Sequence, residues 1–431
     1  MTQRSESTEE WIRRDAARVW HGFTQMATYP DSRPLIIERG EGRYLIDTEG
    51  RRYLDAISSL WVSTLGHRIP ELDDAARRQL DLIAHSTMLG NGNRTTIELA
   101  EKLAPLVPVD NPHFLFASDG AAAVEQALKI ALQYWINLGI ADKTLYLALG
   151  DAYHGDTVGS MSVGADGFGS SIFDPLRFQV VRSPGYDDPR AIERAADIVR
   201  ARADELAAVV LEPLVQGAAG IKTFPADGFT PLQEACDETG VLLICDEVAT
   251  GFGRTGTMFA SERCGLRPDL LCLGKGLAAG YVPMSATAAS QRVYDAFLGP
   301  DLGPKTLYHG HSFGGNALAA AIAIRHLELL HRWNVLDNVE RRAEQLAASL
   351  SSRVVPLDAV KEVRQQGLMC GVELIPGDRN GRRVCAASVE RGVLLRPLGD
   401  VVVIMPPLTI TEDEIELIVD TLAAAIEEVV E

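Results

Sequence analysis

Paired cysteines, long apolar runs and a surplus of positive charge are all missing from this sequence of 431 residues. Its six cysteines are scattered without a Cys-x-x-Cys pair, which argues against a zinc or redox motif, so we expect no metal site. No segment approaches the roughly 18 consecutive apolar residues of a membrane span, and Met1–Glu10 is polar and acidic, unlike a signal peptide. We therefore expect a cytoplasmic protein with no membrane partner.

The charge balance is acidic, with a formal net charge of −18. A nucleic-acid-binding surface needs lysine and arginine to displace counterions from phosphates, so we expect no nucleic-acid partner. Hydrophobic residues make up 46% and charged residues 23% of the chain, as in ordinary globular proteins. Because the chain is long for a single core, two domains around one large sheet are expected.

Short apolar runs alternate with longer helical patterns in the middle of the chain, which is typical of a parallel sheet covered by helices. The predicted strands are His113–Ala117, Thr144–Leu149, Ala207–Leu211, Val241–Cys245 and Leu270–Leu273. The predicted helices are Ala121–Trp135, Arg190–Glu205 and Pro231–Thr239. The pattern indicates an α/β fold whose large domain spans about residues 76–320.

Both ends of the chain differ from this middle part. Leu35–Glu38, Tyr44–Asp47 and Arg52–Asp55 are short strand-like pieces that predict a small antiparallel sheet. From about Asn316 the pattern becomes a long helix, then mixed α/β with a strand at Val401–Met405. We predict that residues 1–75 and 321–431 together form a smaller domain.

Asp246 ends an apolar strand and precedes a glycine-rich segment. The carboxyl ends of parallel strands open into the ligand crevice, where a carboxylate is costly to desolvate unless a cation meets it. A pyridinium nitrogen is such a cation, and the ion pair would keep the ring protonated as an electron sink. Capping of the next turn, or an ion pair with Arg254, is the structural alternative.

Lys275 lies between two glycines just after the next predicted strand. Such glycines let backbone and ligand approach closely, and a lysine that is desolvated there becomes the amine nucleophile that carbonyl chemistry requires. A surface lysine in a glycine turn is the alternative for this motif in isolation. Its position one β-α-β step after Asp246 favours the catalytic interpretation.

Two further segments have weaker signals. Gly120 begins a predicted helix after a strand, and the free amides of a helix N-terminus attract phosphate, although an ordinary helix start is the alternative. Tyr153 follows a strand end, where an aromatic ring can stack on a planar cofactor. His154 could hydrogen-bond near that ring or be structural.

The sequence resembles the class III, fold type I aminotransferases in five motifs: Tyr153–Thr157, Glu212–Gly217, Asp246–Gly256, Leu273–Gly276 and His309–Asn316. Within that class it is similar to the 7,8-diaminopelargonate aminotransferases of biotin synthesis. The similarity extends from Trp20–Met26 to Leu395–Asp400 and Met405–Leu408, which is nearly the whole chain. It implies the fold type I architecture, in which a large domain with a mostly parallel sheet is joined by a smaller α/β domain.

The resemblance also implies pyridoxal 5'-phosphate as the cofactor. Lys275 would form the Schiff base, Asp246 would pair with the ring nitrogen, and Tyr153 would stack on the ring. The implied cofactor-binding set is Gly120, Ala121, Tyr153, His154, Glu212, Asp246, Lys275 and Ser312. Because Ser312 resembles a residue that reaches the phosphate of the neighbouring subunit, the resemblance implies a homodimer with shared active sites.

The implied substrate is 8-amino-7-oxononanoate, a keto acid that receives an amino group from a small-molecule donor. The substrate-binding set is Phe23, Trp61, Tyr153, Arg254, Lys275, Gly310 and Arg396. Arg396 matches an arginine that binds the substrate carboxylate, a role that suits a planar bidentate donor. A surface salt bridge is its alternative.

Departures from the family pattern leave the amino donor open. Ala121 stands where relatives commonly carry serine, and Phe23, Leu60 and Trp61 occupy positions where adenosylmethionine-using members have a tyrosine and two tryptophans. Other segments resemble the variant that uses lysine as donor. Another class III ω-amino-acid or diamine transaminase is the rival enzyme. A non-catalytic regulator would be expected to lack the lysine or to carry a DNA-binding region, and this sequence has neither feature.

Overall fold

The structure is a computed structural model that describes residues 7–165 and 170–430. Its strands are β1 Ile37–Glu41, β2 Tyr44–Asp47, β3 Arg52–Asp55, β4 His113–Ala117, β5 Leu145–Leu149, β6 Val181–Ser183, β7 Leu206–Leu211, β8 Val215–Gln216, β9 Lys222–Thr223, β10 Leu242–Asp246, β11 Leu270–Leu273, β12 Ser285–Ala289, β13 Val360–Gln366, β14 Met369–Leu374, β15 Val393–Leu394, β16 Arg396–Leu398 and β17 Val401–Ile404.

Its α-helices are α1 Thr8–Arg18, α2 Ser58–Trp61, α3 Pro70–Leu80, α4 Arg94–Leu103, α5 Gly120–Asn137, α6 Val158–Val163, α7 Ala191–Ala201, α8 Thr230–Thr239, α9 Ala260–Arg263, α10 Gln291–Asp295, α11 Ala317–Arg332, α12 Val335–Arg353, α13 Asn380–Glu390 and α14 Glu412–Val429. Short 3₁₀ helices lie between them at Pro30–Ser32, Ser170–Leu176, Ala226–Phe229 and Lys275–Ala278. Within the described residues, we find no helix with the length and apolar character needed to span a membrane.

A seven-stranded sheet in the order β4-β12-β11-β10-β7-β5-β6 forms the centre of the fold. Strands β7, β10 and β11 are buried along their whole length, because their continuous apolar runs are covered on both faces. In β10, Leu242 and Ile244 pack in the core on the side of α5, whereas Leu243 and Cys245 pack in the opposite core with α7 and α8. The sheet is thus sandwiched between helices.

The predicted α/β class and mostly parallel sheet are confirmed. β10 is parallel to β7 and β11, and β5 is parallel to β6 and β7. The exception is β12, which is antiparallel to both β11 and β4. β12 was not predicted, because its Ser-Ala-Thr-Ala-Ala composition has weak strand propensity and no apolar alternation.

The two ends of the chain meet in one small sheet. β15, from the C-terminal part, pairs in parallel with β3, so the order is β1-β2-β3-β15. A second sheet, β13-β14-β17-β16, lies entirely in the C-terminal part. The proposed domain boundaries stay a prediction, and their ranges include residues 1–6, 166–169 and 431, which lie outside the described part of the chain.

The topology brings the carboxyl ends of six strands to one edge of the central sheet. Strands β5, β6, β7, β10 and β11 run parallel, and β4 has the same direction because β12 is antiparallel to both of its neighbours. Ligand crevices of open α/β sheets form at this carboxyl edge. The segments that follow these strands carry the predicted chemistry.

Candidate active site

A cavity of about 450 Å³ opens at the carboxyl edge of the central sheet. It brings together eight of the predicted site residues, namely Trp61, Gly120, Ala121, Tyr153, His154, Glu212, Asp246 and Lys275. They come from segments that are far apart in the sequence, and the parallel strands are what place them side by side.

Lys275 begins a 3₁₀ turn immediately after β11. Its φ of 39° is in the left-handed region that residues with a side chain rarely adopt. The Nζ atom lies 4.9 Å from the centre of the Trp61 ring. Burial lowers the pKa of the Lys275 amine, while the negative charges of Asp246 and Glu212 act in the opposite direction. A lowered pKa favours the neutral, nucleophilic amine.

Asp246 is the last residue of β10, and both of its carboxylate oxygens are held in place. His154 Nδ1 lies 2.8 Å from Oδ2, and the Val248 amide donates to Oδ1 at 3.0 Å. His154 Nε2 is buried and has no hydrogen-bond partner in the described part of the chain. The pair fixes a carboxylate in the cavity, where a cationic ring nitrogen would find its counterion.

Glu212 follows β7 and bridges two walls of the cavity. Its Oε1 accepts from the Tyr153 amide at 3.1 Å, and its Oε2 accepts from the Gly217 amide at 3.0 Å. Burial raises the pKa of this carboxyl to about 7, aided by the nearby Asp246 and opposed by His154 and the two amides. A carboxyl of this kind titrates near neutral pH.

The N-terminus of α5 forms another wall. Asp119 caps this helix, with Oδ1 accepting from the Ala122 amide at 2.9 Å. A Cβ atom added to Gly120 would lie 2.5 Å from Val248 Cγ1, so only glycine fits without displacement. The first amides of the helix have no intrahelical acceptor, which makes this wall suited to an anion such as phosphate.

Tyr153 lines the cavity next to His154, and its hydroxyl donates to Asp156 Oδ2 at 2.9 Å. Burial and the hydrogen bond to Asp156 raise the pKa of Tyr153, so the phenol stays protonated at neutral pH. Trp61 also lines the cavity, and its indole Nε1 is buried and lacks a hydrogen-bond partner among the described residues. A bound molecule could satisfy this donor.

Phe23 and Arg396 line a neighbouring cavity of about 590 Å³. Ala218 borders this cavity and the one that holds Lys275, so the two spaces adjoin. Phe23 is largely exposed, and Arg382 lies in the same cavity as Arg396. The predicted carboxylate-binding arginine is therefore placed beside the cavity with the reactive groups and not within it.

Arg254 does not line the cavity. It is buried, donates to the Pro406 carbonyl oxygen, and has Nη2 at 3.4 Å from Ser58 Oγ. Burial lowers the pKa of Arg254 to about 9. Its contacts tie the C-terminal part of the chain to the segment that carries Trp61. Its predicted contact with substrate stays a prediction.

Gly310 and Ser312 also lie away from the cavity of this chain, in an exposed segment after β12. The Ser312 carbonyl oxygen accepts from His85 Nε2 at 2.7 Å. The role of Ser312 at the site of a second subunit stays a prediction.

Val248 and Asp156 line the cavity but were not among the predicted site residues. Both belong to motifs that had been recognised. Val248 lies two residues after Asp246, and Asp156 three residues after Tyr153. Val248 lies in the turn after β10, where the alternation of strand residues no longer applies, so the strand pattern does not indicate it.

Comparisons with known proteins agree with this geometry. Residues 26–426 match the family "Aminotransferase class-III". A relative from Nitratidesulfovibrio vulgaris, named adenosylmethionine-8-amino-7-oxononanoate aminotransferase, is 44% identical over 96% of this chain and 80% of its own length. A relative of the same name from Geobacter sulfurreducens is 40% identical over 98% of both chains.

Solved structures show the same fold. The adenosylmethionine-8-amino-7-oxononanoate aminotransferase of Methanocaldococcus jannaschii superimposes with a TM-score of 0.95 at 38% identity, covering 99% of this chain and 100% of that one. A PLP-bound amine transaminase from an uncultivated Pseudomonas species has a TM-score of 0.90 at 34% identity, covering 96% and 99%. The predicted fold type I architecture is confirmed, and the family implies pyridoxal phosphate as cofactor. The chain belongs to the class III aminotransferases and is a transaminase.

Proposed function

We propose that this enzyme transfers an amino group to 8-amino-7-oxononanoate, which yields 7,8-diaminononanoate for biotin synthesis. The observation that carries the proposal is the similarity, over nearly the full chain, to relatives at 37–44% identity that are named for this reaction. A single cavity lined by a buried amine and a buried carboxylate suits a transamination.

The residues of the cavity fit pyridoxal phosphate. Gly120 and Ala121 would offer amides to the phosphate, Asp246 would hold the ring nitrogen, and Lys275 would supply the covalent anchor. A Cβ atom added to Gly120 would lie 2.5 Å from Val248 Cγ1, so a larger residue at this position would displace the start of α5. When bound, this cofactor supplies an aldehyde carbon that carries the amino group and a protonated ring that withdraws electrons.

Asp246 would keep the ring nitrogen protonated, and His154 would hold the Asp246 carboxylate in the required orientation through their hydrogen bond at 2.8 Å. Lys275 would remove and return a proton at the substrate carbon as general base and general acid. Burial lowers the pKa of the Lys275 amine, which favours the neutral form that accepts a proton.

The substrate would extend from this cavity towards Phe23 and Arg396. The guanidinium of Arg396 would bind the carboxylate in a bidentate manner, and Trp61 and Tyr153 would flank the chain near the reacting carbon. Arg254 would act on substrate indirectly, because it does not line the cavity and its Nη1 and Nη2 atoms donate to Pro406 and Ser58.

The proposal includes a homodimer in which Ser312 and Gly310 complete the partner's site. Support comes from the exposure of this segment and its position outside the cavity of its own chain. For the amino donor, the names of the relatives favour adenosylmethionine. Leu60 occupies a position where family members that use adenosylmethionine carry tryptophan. Lysine is therefore the second amino donor to test.

The decisive assay incubates the purified protein with 8-amino-7-oxononanoate and either adenosylmethionine or lysine, and measures 7,8-diaminononanoate. Product with adenosylmethionine supports the full proposal, and product with lysine alone corrects the donor. If neither donor gives product, 8-amino-7-oxononanoate is not the substrate, whereas the membership in the class III aminotransferases is unaffected. The Lys275→Ala protein is the negative control for all reactions.

The alternative is an ω-amino-acid or diamine transaminase. It has specific support, because an (S)-enantioselective ω-transaminase from Thermomicrobium roseum shares the fold with a TM-score of 0.90 at 32% identity. Parallel assays with a diamine or an ω-amino acid as donor and pyruvate as acceptor distinguish the two activities. Faster turnover of these substrates than of 8-amino-7-oxononanoate would favour the alternative.

A further inference from the structure

His326 is a fully buried histidine near the middle of α11, outside the cavity. Its ring connects two segments that each carry a residue of the site. Nε2 lies 2.8 Å from Thr64 Oγ1, and Nδ1 lies 3.3 Å from the carbonyl oxygen of Leu277. The ring is thus the link between the loop after Trp61 and the turn after Lys275.

The partners determine which ring nitrogen carries the proton. A carbonyl oxygen can only accept, so Nδ1 must donate to Leu277, and in a neutral ring Nε2 then accepts from the Thr64 hydroxyl. Burial lowers the pKa of His326 to about 4, so the ring is neutral at physiological pH. Both hydrogen bonds are therefore formed by one tautomer under working conditions.

Both linked segments have strained backbones. Lys275 has a positive φ of 39°, and Leu277 closes the same turn by donating from its amide to the Gly274 carbonyl oxygen. In the other segment Ser58, Ser59 and Trp61 all have positive φ values. Residues with side chains hold such conformations only when the surrounding structure enforces them.

The two segments also touch each other directly. A Cβ atom added to Gly276 would lie 3.1 Å from Thr64 Cγ2, so the turn and the loop are in close packing. Beyond this contact, Lys275 Nζ lies over the Trp61 ring at 4.9 Å. Movement of either segment would change the position of the amine relative to the indole.

We propose that His326 is a positioning residue that holds the Lys275 turn against the Trp61 loop and so fixes the reactive amine in the cavity. The inference rests on the proposed function only in that Lys275 is the amine that reacts with the cofactor. It does not depend on the identity of the substrate. An apolar side chain at this position would fill the core but would release both segments.

The test uses the apoprotein and follows the reaction of pyridoxal phosphate with the Lys275 amine by visible absorbance across a pH series. For His326→Leu we expect the pKa of the amine to move upward, towards its ordinary value, because a looser turn admits water. The rate of bond formation should fall about 10- to 100-fold, the scale expected for a displacement of about 1 Å. The groups that face Lys275, Asp246 and Glu212, are unchanged in this variant.

Two conservative variants separate positioning from packing. In His326→Gln the side-chain amide can donate to Leu277 and its oxygen can accept from Thr64, so we expect values close to those of the wild type. Thr64→Val removes one hydroxyl without a change of shape, and should reproduce part of the effect of His326→Leu. It also serves as the test if His326→Leu does not fold.

The matched control is Leu330→Ala, because Leu330 is buried on the same helix but touches neither segment through a hydrogen bond. We expect a lower Tm with an unchanged pKa of the amine. The inference is overturned if His326→Leu or Thr64→Val keeps the wild-type pKa and rate, or if Leu330→Ala shifts them equally. If the wild-type amine itself fails to react with pyridoxal phosphate, the proposed function fails as well.

Discussion

His154 Nδ1 and Asp246 Oδ2 are 2.8 Å apart in the interior of the protein, where both side chains are almost completely buried. The second carboxylate oxygen of Asp246 accepts from the Val248 amide. An anion in such a place is stable only because each oxygen has a donor. These two hydrogen bonds fix the orientation of the Asp246 carboxylate. We infer that the role of Asp246 depends on its negative charge.

Asp246→Asn should therefore lower kcat by several orders of magnitude while weakening cofactor binding only modestly. The amide keeps the shape and one acceptor but cannot keep a ring nitrogen protonated. Steady-state kinetics and a titration with pyridoxal phosphate measure the two effects separately. Unchanged kinetics would mean that Asp246 has no part in the chemistry.

Lys275→Ala should abolish turnover and the visible absorbance of the bond between cofactor and lysine, while the fold is retained. Removal of this side chain leaves no other amine among the described residues that line the cavity. The matched control is Lys143→Ala, because Lys143 is also buried, with its Nζ 4.0 Å from the Trp135 ring and away from the cavity. Loss of the absorbance in both variants would point to a general effect of lysine removal.

The strands and the residues at their ends could be predicted because continuous apolar runs are a strong local signal. β4 and β11 have the predicted bounds, and Asp246 and Lys275 lie at one edge as the parallel topology requires. The arrangement of Tyr153 and Glu212 around them follows from the same rule. This part of the site depends on local patterns and one topological principle.

Contacts between distant segments could not be predicted in this way. Arg254 was expected at the substrate, but its donors meet a backbone carbonyl oxygen at Pro406, and a carbonyl has no sequence signature. His326 lies on an amphipathic helix, where a histidine with two buried partners has the same pattern as an exposed one. The place of Phe23 beside Arg396 depends on how both ends of the chain pack.

Glu212→Gln should change the pH dependence of apoprotein stability. Burial raises the pKa of Glu212 from 4.5 to about 7, so the folded state binds the proton more tightly than the unfolded state. The charged form thus destabilises the fold increasingly as pH rises through this window, and below pH 4.5 the effect is absent. Glutamine has no such charge. The free energy of unfolding of the variant minus that of the wild type should therefore increase as the pH rises, by about 3 kcal/mol at most.

Urea denaturation of both proteins at several pH values between about 4.5 and 8 measures this difference. The unpaired amide that glutamine leaves at Tyr153 or Gly217 shifts the curve by a constant amount and does not alter its slope. If the difference in unfolding free energy between the two proteins is the same at every pH, the pKa of Glu212 is not raised in the folded state.

Gly120→Ala should weaken the binding of pyridoxal phosphate and lower stability by about 1–3 kcal/mol, the usual result of overpacking. The added Cβ would lie 2.5 Å from Val248 Cγ1, so either the helix start or Val248 must move. Cofactor titration and thermal denaturation measure the two effects.

Two comparisons make that result specific. Gly92→Ala places a Cβ no closer than 3.7 Å to Ile97 Cδ1 and should change neither quantity. Val248→Ala in the Gly120→Ala background removes the clashing methyl groups and should restore part of the lost stability. If this double variant is no more stable than the single one, the clash with Val248 is not the cause.

Arg396→Leu should raise the KM for the keto acid about 10- to 100-fold, as expected for the loss of charge-assisted hydrogen bonds worth about 1.5–3 kcal/mol. Arg396 lies in the cavity that adjoins the reactive groups, where it would meet the carboxylate far from the reacting carbon. The other half-reaction, with an amino donor that has no carboxylate to meet Arg396, should be unaffected by the substitution. Stopped-flow measurement of each half-reaction checks this separation.

Arg382→Leu is the matched control, because Arg382 lines the same cavity and its loss removes the same charge. If the effect depends on a bidentate contact and not on the general potential of the cavity, Arg382→Leu should change the KM by a small factor only. Arg396→Lys, which keeps the charge but not the planar fork, should fall between the wild type and Arg396→Leu. If both leucine variants raise the KM equally, the general electrostatic potential of the cavity determines the KM, and a specific contact with Arg396 does not.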